Sequence, residues 1–492
     1  MGAERRALRR LELGVLRSNL SVRSLAPPVA ALLVFLAAFS TKVLNDADTW
    51  WHVAAGQMMI AQRAVLHADP FSYTVFGAPW HTHEWLAQIA FGEAFNAGGW
   101  SGVVLLTAAA AGLTAWLLAR DLGRWVDGLP LICLLSLGLM MGSASLLARP
   151  HLLALPILEI WTAELIRARA EDRPPRWMAL PLMALWANLH GSFMFGLALI
   201  GPFALEALLA AAPEGRRGVV LRWGGFGIAA AAMAVLTPDG VQTFIFPLQL
   251  LRMTSLAHIG EWAPADFATL DVLEIALLVG LFVAFTRPVR VPLIRAALLL
   301  LLLHLSLQHG RYEQMLGVIG ALLLARPLAL AFGQGGQAAP AGDRPRTPIA
   351  VGAIAGALAV GLAVARLALP VTRVEDSSTP IAAVAATPAA IARTHMLNDY
   401  SFGGYLIAQH LRPFIDSRAD LYGDAYLQAY ARIVRPDRRE LARVLEQRQV
   451  GWTIFKAGSP VAEAMDQMPG WRRLYTDRWA VVHVRAPVAV SR

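Results

Sequence analysis

Cysteine, lysine and charged residues are all scarce in this chain of 492 residues. A single cysteine excludes a disulfide framework and a cysteine-based metal site. Only 16% of the residues are charged and 57% are hydrophobic, whereas soluble domains have about 25% and about 45–50%. The mean hydropathy is +0.51, and the apolar residues come in long runs. This pattern excludes a soluble enzyme, a disordered chain and a collagen-like chain, and it leaves an integral membrane protein.

The net charge of +9 is carried by 41 arginines and only two lysines. Basic residues gather in the cytoplasmic loops of membrane proteins, so most of this excess is explained by membrane topology. No basic stripe with interleaved aromatic residues occurs in the sequence, so we expect no nucleic-acid partner.

Eleven apolar segments are candidates for membrane spans, because a bilayer core of about 30 Å needs roughly 20 apolar residues in a helix. Segments 84–97 and 241–257 carry more polar residues, and we predict that both are interfacial helices. The predicted spans are 27–44, 101–119, 129–147, 151–167, 177–189, 192–212, 219–236, 272–286, 292–308, 313–331 and 348–369.

The loop charges predict the orientation. With the N-terminus in the cytoplasm, the inner segments before residue 366 hold 21 basic residues and the outer segments hold five. The first segment lacks a signal-peptide cleavage site, so we expect it to stay as a span. The predicted organisation is a transmembrane domain over 1–370, with a cytoplasmic linker at 332–347, and a soluble periplasmic α/β domain over 371–492. In that domain we predict strands at Gly451–Lys456 and Trp479–Arg485, and helices at Asp424–Ile433 and Arg438–Glu446.

Histidines concentrate on the predicted outer face. Eight of the 12 map there in the membrane part, and none lies in a cytoplasmic loop. Ionisable groups at membrane depth are costly, so this placement indicates that the functional surface faces outward. The eight are His52, His67, His81, His83, His151, His190, His258 and His309.

The first loop (residues 45–100) is the richest outer segment. It opens with Asn45-Asp46-Ala47-Asp48-Thr49-Trp50-Trp51-His52. The two tryptophans alone are typical of an interfacial aromatic belt. With two carboxylates and an imidazole beside them, the segment is suited to take a proton from a hydroxyl or to hold a divalent cation.

The same loop continues with Pro79-Trp80-His81-Thr82-His83-Glu84-Trp85. His81, His83 and Glu84 have the ligand types of a zinc site, but their spacing is not that of the H-E-x-x-H helix. A hydrogen-bonded interfacial role for His81 is an equal alternative.

Further polar residues mark the predicted outer ends of other spans, in Arg149-Pro150-His151, Asn188-Leu189-His190-Gly191, Thr237-Pro238-Asp239-Gly240 and Gln308-His309-Gly310-Arg311-Tyr312. Arg149 and Arg311 oppose the charge rule, so each is expected to have an anionic partner. A phosphate matches the guanidinium fork. A salt bridge to Asp46, Asp48 or Glu84 is the alternative.

These residues together resemble the GT-C superfamily of polytopic glycosyltransferases, which use polyprenyl-phosphate sugars. The likeness is greatest to a bacterial family with a D-x-D-T-W-W-H first outer loop and a C-terminal periplasmic domain. That domain carries N-D-Y-x-x-G-G-Y-L and I-D-x-R-x-D-x-Y, which are matched here by residues 398–406 and 415–422. The resemblance covers nearly the whole chain from residue 40.

The resemblance implies a mainly α, GT-C-like fold of about 11 transmembrane helices with a small α/β C-terminal domain. It implies that Asp48 or Asp46 is the catalytic carboxylate, and Glu84 is the natural supporting acid. In the tail, the resemblance points to Asp399 and Tyr400, and the clustering of polar residues after a short apolar stretch adds Asp416, Arg418 and Asp420; we predict sugar or acceptor binding for these five. Two structural alternatives stay open: Asp416 and Arg418 pair with each other, and Gly403-Gly404 only permits close packing. We predict that Pro413–Ile415 is a strand whose end presents this polar cluster.

The sequence therefore predicts an inverting glycosyltransferase of the bacterial inner membrane, acting at the periplasmic face on a glycan, lipid or protein acceptor. Arg149 and Arg311 would hold the donor phosphate, and His52, Trp51, His83, His151 and His190 would contact the phosphate or the sugar. No cofactor is certain, although a divalent cation is compatible with the carboxylates. The alternatives are a transporter or flippase for lipid-linked glycans and a non-catalytic scaffold. A transporter is expected to show polar residues through the midplane or inverted repeats, and neither occurs in the sequence.

Overall fold

The computed structural model describes residues 21–250, 252–255, 262–335, 348–435 and 437–486. Three features of the sequence lie outside these ranges: the arginines before residue 21, His258, and most of the predicted 332–347 linker.

Helices make up most of the described chain. The first nine are α1 (Val22–Ala38), α2 (Asp48–Gln62), α3 (Trp85–Leu122), α4 (Gly128–Met140), α5 (Pro150–Ala170), α6 (Leu180–Leu189), α7 (Phe193–Ala210), α8 (Arg216–Ala234) and α9 (Gln242–Leu250). They are followed by α10 (Val272–Thr286), α11 (Leu293–Gln308), α12 (Gly310–Ala331) and α13 (Ile349–Ala368). The tail adds α14 (Ile381–Ala385), α15 (Ala389–Ala392), α16 (Gly403–Ala408), α17 (Ala419–Val434), α18 (Arg438–Gln447) and α19 (Pro460–Asp466).

Each of the eleven predicted spans falls largely on one of these helices, because long apolar runs satisfy their backbone hydrogen bonds within the segment. Within the described ranges, four helices are long and apolar enough to cross a bilayer, namely α3, α7, α12 and α13. Several others are apolar but shorter. The mainly helical fold is confirmed, and the number of eleven spans stays a prediction.

Two glycines interrupt α3. Gly98 and Gly99 have non-helical backbone angles, and Gly99 has a φ of 56°, which favours glycine. Residues 85–97 therefore form a helix distinct from the apolar stretch that follows, as the polar residues of segment 84–97 predict. Whether that helix is interfacial stays a prediction.

The described residues divide into two compact units. The helical unit lies within Met1–Ser40, Val104–Gly240 and Ile259–Leu369. The composite unit lies within Thr41–Val103, Val241–His258 and Pro370–Arg492. The composite unit thus combines the first loop and α9 with the C-terminal tail. That residues 371–492 form a domain of their own, with a boundary at residue 370, stays a prediction.

The tail contains a four-stranded sheet in the order β1-β2-β4-β3, formed by β1 (Met396–Asn398), β2 (Trp452–Lys456), β3 (Trp471–Thr476) and β4 (Ala480–Arg485). The β1–β2 pair is parallel, and the other two pairs are antiparallel. Side chains of β2 and β4 form its core with Phe402 and Leu406. The small α/β tail is confirmed, with β2, β4, α17 and α18 close to their predicted positions.

The predicted strand at Pro413–Ile415 is wrong, since this segment forms no strand and pairs with none among the described residues. Side chains satisfy its backbone instead. The Asn398 amide accepts from the Phe414 N–H at 2.8 Å and donates to the Ile415 carbonyl at 2.8 Å. The Thr74 hydroxyl donates to the Phe414 carbonyl at 2.7 Å. Pro413 has no N–H group to donate to a neighbouring strand, and side chains provide the hydrogen-bond partners of the next two residues.

Candidate active site

Asp46 and Asp48 stand at the start of α2, and their environments differ. Asp46 is 8% exposed and accepts the Asp48 backbone N–H at 2.7 Å, so it fixes the first turn of the helix. Asp48 is half-buried, and the Trp51 indole N–H reaches its Oδ1 at 3.4 Å. A helix N-terminus favours the anionic form of a carboxylate in its first turn. Asp48 is therefore a positioned, partly exposed carboxylate.

Glu84 lies between two imidazoles of the first loop. The Nε2 atom of His52 is 3.9 Å from one Glu84 oxygen, and the Nε2 atom of His83 is 3.7 Å from the other. His52 also packs against Trp51, with ring centroids 3.7 Å apart. The structure thus brings together four residues that the sequence singled out. Among the described residues, no three His, Cys, Asp or Glu side chains group as metal ligands. Dependence on a divalent cation stays a prediction.

The Gly403-Gly404 pair lets the tail approach the first loop. A Cβ at Gly404 would overlap the carbonyl oxygen of Ala47, and one at Gly403 would overlap the backbone and Cβ of Asp416. The N-terminus of α16 is thereby seated against the residue that separates Asp46 from Asp48. The packing role that the sequence left open is what these glycines perform.

Asp416 and Arg418 form a buried ion pair. Nε and Nη2 of Arg418 donate to the two Asp416 oxygens at 2.8 and 2.7 Å, and Nη1 lies 2.8 Å from Asp69 of the first loop. The Tyr422 hydroxyl donates to Asp416 at 2.8 Å. Burial lowers the pKa of Arg418, but Asp416 outweighs it and the pKa is raised above its usual value. Burial, followed by the Asp416 charge, raises the pKa of Tyr422. Sugar binding by this pair stays a prediction, and its geometry favours the structural alternative.

Asn398, Asp399 and Tyr400 tie segments of the tail to one another. Asp399 accepts the Ser401 N–H and hydroxyl at 3.0 and 2.7 Å, which caps a short turn. The Tyr400 hydroxyl donates to the Ser417 carbonyl at 3.2 Å, and the Trp51 indole donates to the Ser417 hydroxyl at 3.0 Å. Ser417 is consequently the point where the D-x-D segment and the tail motif meet.

Asp420 differs from Asp416, although both belong to the same short motif of the tail. Its Oδ2 accepts the Trp80 indole N–H at 3.2 Å, and its side chain lines a cavity. Burial raises the pKa of the Asp420 carboxyl, while the nearby His83 and Arg418 oppose that shift. The cavity is described further below.

The helical unit holds the other predicted site residues. The Nε2 atom of His151 donates to the Ser145 carbonyl at 2.8 Å, and its ring lies 6.1 Å from that of His190. His190 accepts the Ser192 N–H on Nδ1 at 3.1 Å, so a neutral His190 carries its proton on Nε2. The R-P-H and N-x-H-G motifs are thereby brought together at the starts of α5 and α7.

Arg311 lies over the ring of Trp262, with its guanidinium carbon 4.3 Å from the centroid. His309 donates from Nδ1 to the Trp262 carbonyl at 2.7 Å, which fixes the segment before α12. Tyr312 packs against Phe195 near the start of α7, with centroids 5.5 Å apart. The H-G-R-Y motif therefore lies beside the start of α7, which follows the N-x-H-G motif.

Sequence reasoning missed Asp69, Asn398 and Ser417 as organising residues, together with α9 as a wall of the composite unit. Asp69 begins a D-P-F-S turn, in which its carboxylate accepts the N–H groups of Phe71 and Ser72 at 3.0 and 3.1 Å. That turn signature is visible in sequence. The ion pair of Asp69 with Arg418 of the distant tail is not.

No protein-family model matches the sequence, and no curated protein matches it. Solved structures do. The apo oligosaccharyltransferase of Archaeoglobus fulgidus matches with a TM-score of 0.56 and 12% identity, over 88% of this chain and 69% of that one. ArnT from Cupriavidus metallidurans, bound to undecaprenyl phosphate, matches with a TM-score of 0.50 and 14% identity, over 94% and 97%.

This chain has the GT-C fold. The likeness spans most of the sequence, as the motif resemblance predicts, and at these identities it establishes the fold alone. This fold and the apolar helices together indicate a multi-pass membrane protein.

Proposed function

We propose that this protein is an inverting glycosyltransferase of the bacterial inner membrane, with a cytoplasmic N-terminus and a periplasmic tail. It would move a sugar from a polyprenyl-phosphate donor to a glycan, lipid or protein acceptor. Two structures with the same fold support this reaction class, namely an oligosaccharyltransferase and ArnT bound to undecaprenyl phosphate. The observation that carries the proposal is the half-buried Asp48 at the first turn of α2, with its backbone fixed by Asp46.

In the proposed reaction, Asp48 takes the proton of an acceptor hydroxyl. The hydroxyl oxygen attacks the anomeric carbon as the bond from that carbon to the phosphate oxygen breaks. Polyprenyl phosphate leaves with the bonding electron pair, and direct displacement inverts the anomeric configuration. General-base assistance of this kind contributes typically about 10²–10⁴-fold.

The remaining site residues bind and orient in this proposal. Arg149 and Arg311 hold the donor phosphate with guanidinium forks, and His151 and His190 line the same end of the helical unit. Glu84 and its two imidazoles, His52 and His83, keep the first loop in place beside Trp51. Asp399 and Tyr400 act by positioning the tail, and Asp420 contacts the acceptor. A divalent cation bound by the carboxylates would stabilise the leaving phosphate, and a chelator in the assay tests for it.

The test is transfer by the purified protein from an undecaprenyl-phosphate-linked sugar to envelope extracts fractionated into glycan, lipid and protein. We expect release of undecaprenyl phosphate together with a product of inverted anomeric configuration, measured by NMR. The Asp48→Asn protein should neither release undecaprenyl phosphate nor form the product. Retained configuration in the product contradicts the displacement. Passage of intact donor across vesicles without cleavage indicates the flippase alternative.

A further inference from the structure

The composite unit contains an open cavity of about 240 Å³, and Asp420 is among the residues that line it. Three segments build it: the first loop, α9 with the residues after it, and the start of α17. The residues on which the argument rests are Trp80, His81, Phe246, Gln249, Met253 and Asp420. Ligand sites of this kind combine apolar walls with a few convergent polar groups.

The polar groups of the cavity are suited to hydroxyls. One Asp420 oxygen accepts the Trp80 indole N–H at 3.2 Å, and a carboxylate has lone pairs for further donors. Gln249 is exposed on α9, and its amide offers both a donor and an acceptor. A vicinal pair of sugar hydroxyls requires this mixture of acceptor and donor.

The apolar walls come from α9 and the segment after it. The Phe246 ring lies 6.1 Å from the ring of His81 and 4.5 Å from that of His83. Met253 adds a thioether wall. Pyranose rings have apolar C–H faces that pack on aromatic and thioether surfaces. The apolar walls of the cavity therefore suit the faces of a pyranose, and its polar groups suit the hydroxyls around the edge of the ring.

The charge of the cavity argues against an anionic ligand. None of its described lining residues is Arg or Lys. The guanidinium of Arg418 already faces Asp416 at 2.7 Å and Asp69 at 2.8 Å. A phosphate would meet the Asp420 carboxylate with no arginine or lysine of the lining to balance it. The volume of about 240 Å³ leaves room for one sugar ring.

We propose that this cavity binds one uncharged pyranose of the acceptor, held by Asp420 and Gln249 against Phe246. The inference rests on the proposed function and names its acceptor as a glycan. Asp420 accepts ring hydroxyls, and Gln249 bridges a hydroxyl at the exposed edge. The donor is held elsewhere, through its phosphate.

The test uses full-length protein in nanodiscs or a detergent without a sugar headgroup. The probes are methyl glycosides of glucose, galactose, mannose and N-acetylglucosamine, read by saturation-transfer difference NMR. We expect at least one glycoside to bind. Gln249→Ala should weaken it about fivefold, and Asp420→Asn about tenfold to a hundredfold, since the latter removes a charge-assisted bond. Gln242→Ala, on the same helix but outside the cavity lining, is the matched control and should bind as the parent does.

Unchanged binding in both cavity variants overturns the inference, as does absence of binding by the parent. Displacement of the glycoside by undecaprenyl-phosphate sugar would assign the cavity to the donor and overturn the acceptor assignment. Asp48→Asn separates the two proposals, because it should bind the glycoside normally while failing to transfer. If the parent protein transfers no sugar, the proposed function fails and the cavity stands on its own binding data. If Asp48→Asn transfers at the parent rate, only the role of Asp48 as the base fails.

Discussion

Asp48 and Asp416 belong to acidic motifs of similar appearance, D-x-D and D-x-R-x-D, and both lie in the composite unit. Asp416 is fully buried, and its two oxygens accept from Arg418 and Tyr422. Asp48 is half-buried, and the Trp51 indole N–H reaches it at 3.4 Å. A fully enclosed carboxylate has nothing to offer a substrate, whereas a partly exposed and positioned one can meet it. The environment, and not the motif, divides structural from reactive groups here.

The largest effect is expected for Asp416→Ala. Removing Asp416 takes two charge-assisted hydrogen bonds from the buried Arg418, which keeps Asp69 at 2.8 Å, and it also removes the acceptor of the Tyr422 hydroxyl. Breaking a buried pair of this kind costs up to about 3–5 kcal/mol of stability. Yield and thermal stability of the purified protein measure it. Arg443→Ala is the matched control, because its pair with Glu440 is exposed and such pairs contribute about 0–1 kcal/mol. If the Asp416→Ala protein is as stable as the parent, the structural role of Asp416 is contradicted.

The next effect concerns arginines. Arg418 is buried, while Arg149 and Arg311 are half-buried at helix starts. Replacing either of the latter by Ala should weaken donor binding about tenfold to a hundredfold, because a bond to a charged group is lost. Replacement by Lys should cost less, since the charge stays and only the fork is lost. Normal donor affinity of folded Arg149→Ala and Arg311→Ala would instead assign both residues to structure.

Gly404→Ala should destabilise the composite unit by about 1–3 kcal/mol, as overpacking does. The added methyl group overlaps the Ala47 carbonyl, so the backbone next to Asp48 has to move. The transfer rate should therefore fall more than donor binding. Thermal stability and transfer rate measure the two effects. Gly224→Ala, in α8 with open space around it, is the control and should not destabilise. Parent-like transfer by Gly404→Ala would uncouple the tail from the site.

The smallest effect is a pH dependence of stability. Burial lowers the pKa of His483, although Asp466 at 2.8 Å opposes this. The unfolded chain therefore binds the proton more readily, and stability is full above pH about 6.5 and falls below it. The loss should approach at most about 1.4 kcal/mol per pH unit. Melting temperatures of the parent between pH 7.5 and 5.5 should fall more steeply than those of His483→Gln, and equal slopes would contradict this.

Local patterns in the sequence were sufficient for much of the fold. The long apolar runs located the membrane helices, and short strand-like runs located β2 and β4, in which nearly every residue is buried. β1 is too short to show a period, and β3 is largely exposed. Pro413–Ile415 was wrongly predicted because its backbone partners are the side chains of distant residues.

For the candidate site, the sequence identified the residues but not their division of labour. The two aspartates of D-x-D are equivalent in sequence, and the bond from the Asp48 N–H to Asp46 distinguishes them. Likewise, the pairing of Arg418 with Asp69 depends on how the tail folds onto the first loop. Such long-range contacts leave no local pattern.

The central claim is that Asp48 reacts while Asp46 holds it in place, and the turnover number per folded molecule tests this most directly. It should be measured at saturating donor for Asp48→Asn and Asp46→Asn, with the exposed Asp172→Asn as control. The amide oxygen that Asp46→Asn introduces can still accept the Asp48 N–H, so this variant should lose less than about tenfold. Asp48→Asn should stay folded and lose about 10²–10⁴-fold. Parent-like turnover by Asp48→Asn, or a greater loss in Asp46→Asn, would contradict the account.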